Sequence, residues 1–149
     1  MCVAVIAMIA ALAAGCGASA PGWVMNPPAD YTELVTRFEN ADWEVEYHTF
    51  GGQTTVTAFR ASHPEDEMDD LSGSTRVWME TATVMYFATE TEATASETMQ
   101  RAMIAAMEEL TPSGVSINWQ IRRNGSIVSS WMRISGTMDA LNEMENLPF

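Results

Sequence analysis

The dipeptide Asn124-Gly125 stands between two runs of strand-forming residues, 115–123 and 126–134, and no other feature limits the folding of this chain more. A two-residue hairpin loop needs positive φ at one or both central positions, where glycine and asparagine are the least penalised residues. An Asn-Gly step between such runs therefore predicts a tight antiparallel hairpin. With the loop centred between residues 124 and 125, Trp119 is expected to face about residue 130. Trp131 then falls one place off register, on the opposite face. A second hairpin precedes it. Trp43, Val45 and Tyr47 alternate with Glu44, Glu46 and His48, Gly51-Gly52 supplies a turn, and Gln53 to Arg60 is rich in Thr and Val. A third extended segment, about Thr75 to Ala88, is expected to bulge or turn near Thr81-Ala82. Its centre, Val84-Met85-Tyr86-Phe87, is apolar on both faces, which suits a central strand.

Helix signals fill the gaps. Asp30-Tyr31-Thr32-Glu33 reads as a capping box ahead of Leu34, Val35 and Phe38, with an end near Asn40-Ala41-Asp42. Thr89 and Glu92 form another, opening a helix over about 91–110. Ala95, Met99, Ala102, Met103, Ala106, Met107 and Leu110 make its apolar stripe, expected to pack in the core. Pro112 and Gly114 stop it, and a last helix is expected over about 137–145. Strands segregated from helices imply an α+β fold: a two-layer sandwich of a mainly antiparallel, 4–5-stranded sheet with two or three helices on one face.

The charge balance removes whole classes of function. Twenty acidic residues face seven arginines and no lysine, a net charge of −13, so there is no basic surface for nucleic acid. Lysine-dependent covalent chemistry is excluded for the same reason. No glycine-rich phosphate loop and no serine nucleophile elbow occurs, so no cofactor is expected. Carboxylates Glu65, Asp66, Glu67, Asp69 and Asp70 crowd one loop and are candidate cation ligands, although their spacing is not that of an EF-hand. His48 and His63 stand in different elements and define no metal triad. If one face of the sheet is open, Trp119 and Trp131 are candidate ligand-binding residues. The alternative is that they are core.

Residues 1–29 carry no charged side chain, and Cys2 to Ala14 is an unbroken apolar run of thirteen residues, short for a membrane span. It leads into Leu12-Ala13-Ala14-Gly15-Cys16, which resembles the lipobox of bacterial lipoproteins. The resemblance implies a signal peptide over 1–15 and a diacylglycerol thioether on Cys16. It also implies a place on the extracytoplasmic face of a membrane. The stretch over 16–29, with Gly17-Ala18-Ser19-Ala20-Pro21-Gly22 and Asn26-Pro27-Pro28, reads as a tether, and the length leaves a single domain over 30–149. Plain secretion after Ala18-Ser19-Ala20 is the alternative, although Pro21 disfavours that cleavage, and an uncleaved anchor is another. With Cys2 removed and Cys16 modified, no thiol would remain for disulfide or metal chemistry.

Phe38-Glu39-Asn40-Ala41-Asp42-Trp43, the strand into Phe87, the alanine-rich helix and Arg123-Asn124-Gly125-Ser126-Ile127-Val128 resemble small surface lipoprotein domains of unknown function. That likeness implies no activity. The expectation is a non-catalytic module that contacts a protein, glycan or cation. The alternatives are a carboxylate-dependent hydrolase acting on envelope material, or a structural subunit of a surface assembly.

Overall fold

Left-handed glycines close the first hairpin: Gly51 and Gly52 adopt φ of 58° and 82° and join β1 (Glu44–Phe50) to β2 (Gln53–Ala61), so that Phe50 pairs with Gln53. The structure, a computed structural model, describes residues 19–61, 76–137 and 140–141. Its sheet continues through β3 (Arg76–Tyr86), β4 (Val115–Asn124) and β5 (Ile127–Thr137) in the order β1-β2-β3-β5-β4, every neighbouring pair antiparallel. This is the expected α+β fold with a five-stranded antiparallel sheet and β3 at its centre. β3 pairs without interruption on both sides, so the bulge expected near Thr81-Ala82 is absent.

The second hairpin forms one residue later than expected. Asn124 pairs with Ile127, the loop is Gly125-Ser126, and only Gly125 has positive φ, at 58°. That is the pattern of a loop with glycine at the first central position. Trp119 therefore faces Met132, and Trp131 faces Gln120. Moving a loop centre by one residue shifts each partner by two, which preserves side-chain parity, so the two tryptophans do lie on opposite faces.

Helix α2 (Tyr31–Glu39) starts with the Asp30 carboxylate accepting from the Thr32 amide at 2.8 Å. Glu33 pairs with Arg37 one turn on instead of completing the box. The helix ends in a Schellman motif: Asp42 takes φ 59°, its amide donates to the Glu39 carbonyl, and the Trp43 amide donates to the Phe38 carbonyl. Trp43 then rests on Phe38 with ring centroids 5.4 Å apart. Ahead of it, α1 (Gly22–Met25) buries Val24 and sets Trp23 edge-on to Phe38 at 4.2 Å. Residues 16–29, expected as a tether, thus include folded structure; Ala20, Trp23 and Met25 all pack on the core. The Tyr86 hydroxyl fastens this segment by donating to the Pro28 carbonyl at 2.9 Å.

The helices do not share one face. α1 and α2 cover Val56, Ala58, Ala82, Val84 and Trp131, whereas α3 (Glu90–Leu110) lies on the other face over Ile121 and Val128 of β4 and β5. The strand sequences permit this because β3 and β5 carry apolar residues at both parities: Ala82 and Val84 against Met85, and Trp131 against Val128 and Ile134. α3 opens with the expected capping box, Glu92 amide to Thr89 hydroxyl and Glu92 carboxylate to Thr89 amide.

Its rotation differs from the expected stripe. Ala93, Ser96, Gln100 and Ile104 turn toward the sheet, while Met99, Met103 and Leu110 are 61%, 52% and 52% exposed. Polar contacts decide the rotation. Glu97 Oε2 takes Arg123 Nε at 3.0 Å, Arg101 reaches the Ile121 carbonyl at 3.3 Å, and Ser96 and Gln100 both contact the Met85 sulfur.

Candidate functional site

Two side-chain constellations stand out, one on each face of the sheet. The first is built by strand register. Arg60 of β2 pairs with Glu80 of β3, which pairs with Arg133 of β5, and Trp78 lies two residues along the same face. Glu80 is only 4% exposed. Its Oε2 accepts from Arg60 Nε at 2.8 Å and its Oε1 lies 3.7 Å from Arg133 Nη1. The guanidinium of Arg60 sits between two indoles, 5.0 Å from Trp43 and 5.4 Å from Trp78, and Arg133 covers Trp78 at 4.5 Å. Trp43, Arg60, Trp78 and Arg133 form one alternating stack, with Glu80 beneath both cations.

This stack engages both oxygens of its buried carboxylate. Hydrolysis by two carboxylates requires a partner acid some 5–10 Å away. The neighbours of Glu80 along and across its face are Arg60, Arg133, Trp78 and Ala82, none of them acidic. The geometry is that of a clamp across three strands.

The second constellation lies beside α3. Because that helix packs over β4 and β5, the same face of β1, β2 and the near side of β3 carries no helix among the described residues. Strand register puts Glu44, Glu46, His48 and Phe50 of β1 there, beside Thr55, Thr57 and Phe59 of β2 and Met79, Thr81 and Thr83 of β3. None of these residues is basic apart from His48. Met99, Met103 and Leu110 follow Glu92 by 7, 11 and 18 residues, which brings them to within about 20° of its direction round the helix. Glu92 lines one depression with Phe50, Gln53 and Phe87, about 250 Å³ in volume, so this flank of α3 looks toward the bare part of the sheet. A second depression of about 340 Å³ lies further down the flank and is lined by Met103, Ala106, Met107 and Leu110. The helix and the sheet together form a step with methionines on its riser and threonines, Phe59 and Met79 on its tread.

Of the candidates drawn from sequence, Cys16, Glu65, Asp66, Glu67, Asp69, Asp70 and His63 lie outside the described residues, as does most of the helix expected over 137–145. His48 is exposed on the bare sheet face next to Glu46 in alternation, and no group of three or more His, Cys, Asp or Glu among the described residues gathers to hold a metal. Trp131 is wholly buried against α1 and α2, so it is a core residue and offers no ring to a ligand. Trp119 is half-buried on the opposite face. Sequence reasoning passed over both constellations. Residues two apart in a strand share a face, so alternation was the one available signal for Trp78 and Glu80, whereas bringing Arg60 and Arg133 beside them required the register of three strands.

Glu97, held by Arg101 and Arg123, titrates below the usual carboxylate range, the Arg101 hydrogen bond being the larger cause. Tyr86 is pushed up to about 12, chiefly by burial and further by Asp30 and Glu33. Both shifts belong to fold-holding contacts outside the step. Compared with known protein families, curated proteins and solved structures, the chain matches no family model, no curated protein and no solved structure.

Proposed function

We propose that this chain is a non-catalytic binding module held on the extracytoplasmic face of a membrane by a lipid on Cys16, and that it binds through the step between α3 and the bare half of the sheet. The exposure of Met99, Met103 and Leu110 carries this reading. A 21-residue helix that leaves three large apolar side chains exposed beside a sheet face that no other described element covers presents the kind of contiguous apolar surface that marks an interaction site. Methionine suits such a surface because its flexible, polarizable side chain adapts to more than one partner shape.

The start of the folded body supports the anchor. Among the described residues packing is already established at Ala20, four residues after Cys16, so an anchor there would sit next to the folded body. Four residues beyond Cys16 span at most about 14 Å, which would keep the domain close to the bilayer.

Two measurements test the reading. Intact mass of membrane-extracted protein should show a chain starting at Cys16 with a lipid-sized increment; an unmodified mature chain overturns the anchor. For binding, labelled amphipathic helical peptides are titrated against the mature domain and against a Met103→Glu/Leu110→Glu variant. At least one peptide should bind and be lost by the variant. Failure of every peptide, or hydrolysis of envelope polysaccharide by the domain, overturns the module reading.

A further inference from the structure

Resting on that reading, we infer that the occupant of the step is a cationic amphipathic α-helix of another protein, lying beside α3 on the threonine-lined face. The spacing comes first. Packed helices lie 8–10 Å apart, and strands lie about 4.8 Å apart. α3 sits over β4 and β5, so a helix packed against its methionine flank has its axis two strands further on, above β3 and β2. One side of that helix meets Met103 and Leu110 and its underside meets Phe59. Its far side overlooks β1, where Glu44 and Glu46 project from the same face and are exposed.

The charge of the occupant follows from that rim. No arginine occurs on this face of β1, β2 or β3 among the described residues, and the α3 flank begins at Glu92. The arginines of the sheet that surround Glu80 stand on the opposite face. An occupant bearing carboxylates on its outer flank would meet like charge, and one bearing Lys or Arg would meet opposite charge, within a chain of net charge −13. Net charge also disfavours a second copy of this chain as the occupant. From Met99 to Leu110 the flank runs about 17 Å, three turns of a partner helix.

The test uses three 14-residue peptides: an amphipathic Leu/Lys helix, a Leu/Glu helix of the same pattern, and a scrambled Leu/Lys sequence. Binding to the mature domain is read by fluorescence anisotropy, with circular dichroism checking that each variant is folded. The Leu/Lys helix should bind at least tenfold more tightly than either other peptide. Met103→Glu/Leu110→Glu should weaken it at least tenfold, and the milder Glu44→Gln/Glu46→Gln at least threefold. Equal binding of the scrambled peptide, or no change in either variant, overturns the proposal. So does a wild-type dimer that Met103→Glu dissolves, and so does binding seen only after truncation beyond Leu141, which would assign the step to the chain's own last residues. If the Leu/Glu helix binds instead and the Met103→Glu/Leu110→Glu variant loses it, the charge inference falls while the binding module stands. If no peptide binds, both fall.

Discussion

Glu80→Gln removes the negative charge beneath the Trp43-Arg60-Trp78-Arg133 stack while keeping nearly the same volume. In the wild type its carboxylate meets Arg60 at 2.8 Å and Arg133 at 3.7 Å, and the residue is 4% exposed. Breaking a fully buried ion pair by removing one partner costs about 3–5 kcal/mol. Here the stranded cations are not fully buried: the side chains of Arg60 and Arg133 keep 41% and 30% of their surface in solvent, so each can be rehydrated in part. The amide also preserves an acceptor for Arg60 Nε. The expected loss is therefore smaller, about 2–3 kcal/mol, which for a domain of this size is roughly a 10 °C fall in Tm. Urea unfolding followed by tryptophan fluorescence measures it, and an Arg60→Met variant with the Glu80→Gln/Arg60→Met double variant completes a cycle. A coupling of about 1–2 kcal/mol is expected, since the singles each strand a charge that the double does not. A loss below about 0.5 kcal/mol for Glu80→Gln, or no coupling to Arg60, would refute the clamp.

Three further outcomes can be checked on the same domain. Trp131→Ala empties a wholly buried site between the sheet and α1, and should cost about 3–5 kcal/mol in urea unfolding. Asp42→Gly should raise stability by about 0.5–1 kcal/mol, because φ of 59° is strained for aspartate and free for glycine at the end of α2. Tyr86 holds its proton more tightly folded, at about 12 against an ordinary 10.0, so its contribution is fully present below pH 10 and is lost as pH rises through about 12. Urea midpoints across that range should fall for the wild type, and Tyr86→Phe should flatten the fall while losing about 1 kcal/mol at neutral pH from the missing bond to Pro28.

Local chemistry made some features legible in the amino-acid order. Gly51-Gly52 closes the first hairpin because only glycine takes two successive left-handed positions without strain. Thr89 and Glu92 open α3 because the reciprocal bonds are made within one turn. The central place of β3 followed from residues apolar at both parities. Each of these depends on partners a few residues apart or on one segment's own pattern.

Tertiary structure decided the features that needed distant partners. α3 carries alanine or methionine on most sides, so burial alone selects no face, and the Glu97–Arg123 and Arg101–Ile121 contacts from β4 fix its rotation instead. That rotation turns methionines expected in the core out toward solvent and creates the step. The Arg60–Glu80–Arg133 clamp likewise exists only once β2, β3 and β5 are in register, because that register sets which charges lie opposite one another.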